Sequence, residues 1–431
     1  MTLNKNRWLI ALSAIAIHLS IGSAYAYSVF KNPLSDLLGW NSKEVTLSFT
    51  IAILFLGLSA AVFGRFVEKW GPRKSATIAA FLFSAGLLIS GLAIQLESLL
   101  LYYVGYGVIG GMGLGIGYIS PVSTLVKWFP DRRGLATGMA VMGFGAGALI
   151  ASPVAAYFIQ SVGISTTFYI LGISYFVLMI SGASYIAKPP EGWMPKSMQE
   201  DSAAAITGKT KRRQEDLAQL TANEAVKTKR FWLLWIMMFI NISSGIMLIS
   251  VASPMAQDKV GMTVVAAASM VGLMGLFNGA GRILWSSFSD YIGRSNIFII
   301  FFSVQLVLFF MLPSISNVIV FQICIFIILT MYGGGFSSLP AFIGDLFGTK
   351  QLGAIHGYIL TAWSSAGIAG PMIVASIYDA TNSYNATFYI FGISLVVALA
   401  TAIMMKLNIN EVRAGGVVKD PVSKKKIAKL G

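Results

Sequence analysis

The residue best suited to chemistry is Arg282, because it stands inside a long apolar run and eight residues before Asp290. A helical rise of about 1.5 Å per residue would place the two charges roughly 12 Å apart along the axis. A charge inside an apolar membrane helix costs roughly 3 kcal/mol and usually serves a function. A guanidinium binds a carboxylate through two parallel hydrogen bonds. We expect Arg282 to bind an organic anion; the alternatives are that it extends to the membrane edge or pairs with a structural acid.

The chain has two histidines, His18 and His356. His18 shares a helical face with Gly22 and Tyr25, at spacings of four and seven. Because the charge of an imidazole is easily switched, His18 is a candidate proton site. The alternative is a neutral histidine that bonds a neighbouring helix. His356 lies near the start of a predicted helix, where we expect it at the membrane interface.

The composition predicts that membrane-spanning elements position these residues, since 56% of the 431 residues are hydrophobic and only 11% are charged. A soluble domain carries about 25% charged residues, and a membrane helix needs about 20 apolar ones. The sequence predicts an all-α integral membrane protein with twelve spans. The predicted spans are 8–30, 45–66, 75–95, 98–122, 135–160, 166–187, 231–252, 263–288, 296–314, 317–342, 353–377 and 385–406.

The distribution of charge excludes other classes of protein. The formal net charge is +14, but the cations lie between apolar blocks and at the tail, which is typical of anchors on an anionic leaflet. We therefore expect a lipid bilayer and no nucleic acid as partner. A single cysteine, Cys324, excludes a disulfide framework and a cysteine metal site. No catalytic set or phosphate loop is visible, so we expect no enzyme activity, cofactor or metal.

Loop cations also predict orientation and domains. We expect the protein in the cytoplasmic membrane. The loop cations follow the even-numbered spans, so both termini are expected to face the cytoplasm. The N-terminus resembles a signal peptide ending at Ala24-Tyr25-Ala26, but the many later spans favour an uncleaved first helix. We predict a monomer with a six-helix bundle over 1–188, a cytoplasmic linker over 189–230, a second bundle over 231–408 and a basic tail over 409–431.

Two halves of the chain repeat each other. Thr167-Phe168-Tyr169-Ile170 recurs as Thr387-Phe388-Tyr389-Ile390, 220 residues later. Gly134 and Gly138 recur as Gly353 and Gly357, and Glu68 and Gly71 recur as Asp290 and Gly293. A duplicated six-helix unit explains these matches, and such parallel repeats place a solute site between the halves near the midplane.

The turns after predicted helices 2 and 8 carry an acid, a glycine and then cations. Glu68 precedes Arg73, and Asp290 precedes Arg294. This pattern predicts ion-pair sites that stabilise one conformation and release in another. The alternative is an ordinary turn with solvated charges.

In predicted helix 4, Gly107, Gly111 and Gly115 form one row and Gly113 and Gly117 another, which favours close helix packing.

The loop after predicted helix 2 resembles that of the major facilitator superfamily, although Glu68 stands where the family usually has Asp. The stretches Trp128–Gly134, Phe277–Gly279 with Arg282, and Asp345–Gly348 resemble its oxalate:formate antiporter branch. The resemblance implies two pseudo-symmetric six-helix bundles and an arginine of helix 8, here Arg282, that binds substrate carboxylate. It places these further residues at or beside the site: Tyr25, Tyr27, Tyr118, Asn278 and Tyr332. For the tyrosines the alternative is a role in helix packing or in an aromatic belt at the membrane interface.

The sequence departs from the oxalate carrier in two places. Alignment on Gly357 puts Trp363 where that carrier has a second buried cation, a lysine. Ala52, Ile53 and Leu56 stand in the region where it has glutamines. Since one buried cation balances one carboxylate, we expect a monocarboxylate such as lactate, pyruvate or formate, with Trp363 against its carbon end.

The predicted mechanism is alternating access, in which the ion-pair sites gate the movement of a small organic anion and protons are a candidate co-substrate. Three other readings stay open. One is an oxalate:formate-type exchanger, one is an efflux transporter of amphipathic drugs that would not depend on Arg282, and one is a membrane sensor or scaffold with a transporter fold.

Overall fold

A computed structural model describes residues 5–195, 198 and 216–414 of the chain. In this part the protein is helical, without a β-strand. Its twelve long helices are labelled in chain order, and shorter helical segments are cited by range. They are α1 (Arg7–Gly22), α2 (Ser42–Trp70), α3 (Pro72–Gln95), α4 (Gly111–Trp128), α5 (Arg133–Val162), α6 (Ile164–Tyr185), α7 (Lys229–Val260), α8 (Val264–Ile292), α9 (Arg294–Met311), α10 (Val318–Phe347), α11 (Leu352–Thr381) and α12 (Asn385–Arg413).

The lengths of these helices suit a membrane. In the described ranges, eleven helical segments are long and apolar enough to cross a bilayer. The remaining long helix, α8, has 29 residues, and a helix of that length spans about 44 Å against a hydrocarbon core of about 30 Å. The predicted fold class, an all-α membrane protein, is confirmed. The basic residues 209–213 of the expected linker and the lysines at 424–429 lie outside the described residues.

Polar side chains begin several helices by accepting the backbone N–H groups that the first turn leaves without partners. Asn6 accepts from the Trp8 amide before α1. Thr228 begins α7, Thr263 begins α8, and Asn317 begins α10 in the same way. These residues are ordinary helix-capping types, so the sequence carries the signal for each helix start.

The first predicted helix is interrupted in the structure. α1 ends at Gly22, a 3₁₀ turn covers Ser23–Ala26, and a separate helix covers Ser28–Leu38. The backbone of α5 passes close to this point, because a Cβ on Gly22 would lie 2.0 Å from the carbonyl oxygen of Phe144. The interruption therefore occurs where helix 1 meets a neighbouring backbone.

Glycines set the packing of α4, which follows the short helix Leu99–Tyr102 and a π-helical segment, Tyr103–Gly110. A Cβ on Gly111 would lie 2.6 Å from the Ala52 carbonyl of α2, and one on Gly113 would lie 2.5 Å from the Phe83 amide of α3. The two predicted glycine rows thus meet two different helices. Gly107 and Gly115 face α2, whereas a Cβ on Gly117 would lie 3.3 Å from Ile21 of α1 and 3.4 Å from Ala79 of α3.

The helices form two compact units. Among the described residues, unit 1 comprises 5–195, 198 and Leu352–Ser364, the first part of α11. Unit 2 comprises 216–351 and 365–414. In unit 1, α3 packs on α6, α2 on α4 and α1 on α5, and in unit 2 the most extensive packing joins α8 to α10.

The repeated residues occupy equivalent places in the two sets of six helices. Glu68 and Asp290 are each the third residue from the end of their helix, and Gly134 and Gly353 are each the second residue of theirs. The glycines that follow the acids, at 71 and 293, have positive φ values of 84° and 89°, a conformation that glycine adopts without steric cost. The duplication read from the sequence is therefore also a duplication of structure.

Candidate functional site

Arg282 lies inside unit 2 on α8 and is 2% exposed. It stands ten residues before the end of α8 at Ile292, about 15 Å along the helix axis. Its Nε donates to Oδ1 of Asn278, one turn earlier, at 3.3 Å. Its guanidinium carbon lies 5.7 Å from the ring centre of Phe336 on α10, within cation–π range. The predicted charge is therefore well inside the helix and away from its ends.

Close packing of α8 on α10 positions this guanidinium. A Cβ on Gly333 would lie 2.2 Å from the Asn278 carbonyl oxygen and 3.1 Å from Cγ of Arg282. A Cβ on Gly281 would lie 2.2 Å from the carbonyl oxygen of Thr330. Since neither glycine tolerates a side chain there, the backbones of α8 and α10 are in direct contact. This contact fixes the position of the Arg282 backbone relative to α10.

Tyr332 belongs to the same group in unit 2. It is buried, and its ring lies 5.3 Å from that of Phe336 in an edge-on arrangement. The ring also packs on the backbone of α7, since a Cβ on Gly245 would lie 2.2 Å from it. We call Asn278, Arg282, Tyr332 and Phe336 the arginine cluster. Sequence reasoning missed Phe336, although it lies one helical turn after Tyr332.

Three other predicted site residues come together in unit 1. The Tyr118 ring lies 5.6 Å from that of Trp363, and the Tyr25 ring lies 6.3 Å from it. Phe144 contacts all three rings, at 4.9 Å from Tyr25, 5.6 Å from Tyr118 and 5.9 Å from Trp363. Trp363 is fully buried, so at this position a large apolar ring fills the space. We call this group, with His18 and His356, the aromatic cluster.

Both histidines contact Tyr118. His18 is buried, its ring stacks on Tyr118 at 5.1 Å, and its Nε2 is 3.1 Å from the Tyr118 carbonyl oxygen. The ring of His356 lies 5.7 Å from that of Tyr118. His356 is fully buried, whereas its place near a helix start led us to expect it at the interface. The first turns of α11 are covered by unit 1, and a position in sequence does not show such cover.

Tyr27 lies in a different group. Its hydroxyl bonds the carbonyl oxygen of Val45 and is 2.7 Å from the Ser48 hydroxyl. Its ring stacks on Phe49 at 5.3 Å and lies 5.1 Å from Tyr106. In this conformation Tyr27 contributes to the packing of α2 and the π-helical segment.

Glu68 forms an ion-pair site inside unit 1. Its Oε2 is 2.6 Å from Nζ of Lys127, and its Oε1 accepts the Gly353 amide at 2.8 Å. A carboxylate is stabilised at a helix N-terminus, where free N–H groups point outward. Arg73, the cation named from the sequence, lies exposed in the first turn of α3. Glu68 therefore holds the start of α11 within unit 1.

Arg294 forms the counterpart in unit 2. Its NH2 group bonds Asp290 at 2.5 Å, and its Nε donates to Asp345 of α10 at 3.2 Å. It also bonds the Ser289 hydroxyl. Asp345 comes from the stretch that carries the resemblance stated above, and its carbonyl oxygen accepts the Leu217 amide at 2.9 Å. The pair expected between Asp290 and Arg294 is thus present and extends to a third helix.

Comparison with known proteins agrees with this architecture. The model of the Major Facilitator Superfamily matches residues 12–371 and 245–429, and the chain belongs to this family of multi-pass membrane transporters. It is 28% identical to the oxalate:formate antiporter of Oxalobacter formigenes, over 92% of this chain and 91% of that one. It is 24% identical to apicoplast pyruvate carrier 1 of Toxoplasma gondii, over 83% and 73%. A double-tryptophan mutant of XylE shares the fold, with a TM-score of 0.73, 15% identity and 93% and 95% coverage.

Proposed function

We propose that this protein is a secondary active transporter of small monocarboxylates, and that Arg282 binds the carboxylate. The observation that carries the proposal is the burial of a guanidinium, 2% exposed, deep inside α8, a 29-residue helix that is long enough to cross a membrane. Such a charge is costly to keep there, and a negatively charged solute offsets the cost when it binds. Transport by alternating access would then carry the anion with its charge neutralised.

The other buried arginines have structural positions. In the part of the chain that the structure describes, three arginines are buried, at 230, 282 and 294. Arg294 bonds two carboxylates at the ends of α8 and α10, and Arg230 is the second residue of α7. Arg282 alone of these three lies deep within its helix, which favours a role in binding solute.

The chemistry around Arg282 favours a single carboxylate. Asn278 accepts a hydrogen bond from Nε of Arg282, and the planar fork of N–H groups on a guanidinium matches a carboxylate. In unit 1, Trp363, which by the resemblance stands where the oxalate carrier has its second cation, is fully buried in aromatic contacts. Lactate, pyruvate and formate need one counter-charge, whereas oxalate needs two. We therefore favour monocarboxylates over oxalate.

The named relatives support an organic anion as substrate, since one is an oxalate:formate antiporter and another a pyruvate carrier. We further propose that the protein works as a monomer in the cytoplasmic membrane with both termini inside the cell. An oxalate:formate-type exchanger is the second candidate, favoured by the 28% identity over nearly the whole chain. Drug efflux has no support from Arg282, because an amphiphile does not need that charge.

The test uses purified protein in liposomes. Uptake and counterflow are measured with labelled lactate, pyruvate, formate and oxalate. We expect saturable transport of the monocarboxylates and weak transport of oxalate. Arg282→Lys and Arg282→Gln are compared with Arg413→Gln, a control on an exposed arginine in the last turn of α12.

We expect a large effect of the Arg282 variants. Removal of a charge-assisted hydrogen bond costs about 3 kcal/mol, or roughly 150-fold in affinity. The lysine variant keeps a positive charge but loses the two-pronged geometry, so it should also be impaired. Normal uptake by both variants in folded form would contradict the role of Arg282. Oxalate exchange as fast as lactate uptake would favour the second candidate.

A further inference from the structure

His356 is a buried imidazole whose ring nitrogens are without hydrogen-bond partners in the described part of the chain. It is 0% exposed, and neither Nδ1 nor Nε2 meets a donor or acceptor there. A neutral imidazole carries one N–H donor and one acceptor nitrogen. A buried polar group in this situation destabilises the structure and calls for an explanation by function. His356 therefore has unused bonding capacity at a position sealed from water.

A charged form of His356 does not fit this environment. The segment Leu352–Ser364 packs against α2 at backbone distance: a Cβ on Gly357 would lie 1.9 Å from the Ala60 carbonyl oxygen, and one on Gly64 would lie 2.8 Å from Cα of Ala354. An imidazolium needs water or a carboxylate to offset the loss of hydration. Full burial of His356 within this tightly packed segment therefore favours the neutral ring over the protonated one.

The titratable and charged groups recorded around this segment come from three helices. Glu68 of α2 binds the Gly353 amide one turn away from His356, and its second oxygen binds Lys127 of α4. The other groups are His18 of α1, Tyr118 of α4 and Arg65 of α2, whose guanidinium carbon lies 5.5 Å from the ring centre of Tyr358. The carboxylate of Glu68 is thus committed to the amide and the lysine, and the ring that meets His356 is Tyr118.

We propose that His356 is a proton-binding site, and that its protonation stabilises a form in which Leu352–Ser364 is released from the rest of unit 1. A proton from water binds a ring nitrogen when the segment is detached, and the same proton returns to water before the segment can pack again. One proton per event changes the ratio of packed to released forms by up to about tenfold per pH unit. The proposal rests on the proposed function, for which it supplies the site that couples substrate movement to protons.

The first test observes the imidazoles directly. Because the chain has only two histidines, protein labelled with ¹⁵N-histidine and purified without a histidine tag gives two sets of ring signals in nanodiscs. A His18→Gln variant leaves only those of His356. We expect His356 to change from neutral to imidazolium as the pH falls, together with loss of amide-exchange protection, corrected for intrinsic rates, over residues 352–364. A neutral His356 down to pH 5, or protonation with protection unchanged, would overturn the proposal.

The second test measures coupling in liposomes with a pH dye inside. We expect His356→Gln to retain lactate counterflow within about threefold of the unmodified protein while it loses accumulation driven by a pH gradient. Arg413→Gln, the control on an exposed arginine in the last turn of α12, should stay coupled. Full gradient-driven accumulation by folded His356→Gln would refute the coupling role. If the unmodified protein moved no monocarboxylate, the proposed function would fail, whereas the ¹⁵N titration would still decide the proton site.

Discussion

Gly357 provides the sharpest test of how α11 packs in unit 1. Its missing side chain faces the backbone of α2, where a Cβ would lie 1.9 Å from the carbonyl oxygen of Ala60 and 2.6 Å from the carbonyl carbon. Ordinary contact for a Cβ begins at 3.4 Å, so Gly357→Ala requires the helices to separate by about 1.5 Å. Both neighbouring atoms belong to the backbone of a helix, which cannot rotate away as a side chain can.

The magnitude follows from two opposing effects. Overpacking of a tight contact costs typically about 1–3 kcal/mol, and a clash with backbone belongs at the upper end. Glycine to alanine in a helix interior gains about 1 kcal/mol of helix propensity. The net loss for the packed form is therefore about 2 kcal/mol, or roughly 30-fold in the ratio of packed to released segment.

The matched control is Gly272→Ala in α8, where an added Cβ has no atom within 4 Å. It receives the same propensity gain without the clash. Amide exchange over residues 352–364 and the thermal midpoint of the purified protein are measured for both variants. We expect faster exchange and a lower midpoint for Gly357→Ala, and unchanged or raised stability for Gly272→Ala. Equal protection of the segment in both variants would refute the packing argument.

Two further predictions concern charges in the two units. Asn278→Asp should place a resident anion beside the Arg282 guanidinium, 3.3 Å from the present amide oxygen, and so compete with a carboxylate; we expect lactate affinity to fall at least tenfold, and unchanged affinity would contradict the assignment. Glu68→Gln should keep an acceptor for the Gly353 amide but lose the charge that meets Lys127 at 2.6 Å. Loss of this charge should destabilise the packed form of Leu352–Ser364 by about 1 kcal/mol, which amide hydrogen exchange over 352–364 would report as a roughly fivefold faster rate. An unaltered exchange rate would show that the ion pair between Glu68 and Lys127 does not stabilise the packing of α11.

Much of the fold was readable from the sequence because membrane physics acts locally. Apolar runs of sufficient length define spans, and the glycine rows of α4 fixed which faces meet neighbours. The equivalence of Glu68 with Asp290 followed from a nearly constant offset between the repeated residues. These signals depend on residues close in sequence or on an internal repeat, so a single chain contains them.

The sites were only partly predictable, because their geometry depends on contacts between distant helices. Arg282 and Asn278 lie one turn apart, and the resemblance placed both at or beside the site, whereas their hydrogen bond was not predicted. The role of Phe336 could not be predicted, since aromatic residues are common in apolar helices. Its contact with a cation depends on Arg282 of another helix, α8. The burial of His356 depends on α2 and α4 covering the start of α11, which no local pattern encodes.

The measurement that tests the central claim most directly is equilibrium binding of labelled lactate to the purified protein in nanodiscs, with and without Arg282→Gln. Loss of one partner of a buried charge pair costs at least about 2 kcal/mol. We therefore expect the dissociation constant of the variant to be at least about 30-fold higher, with fold and thermal midpoint maintained. A variant that remains folded and binds lactate as tightly as the unmodified protein would contradict the claim that this guanidinium holds the carboxylate.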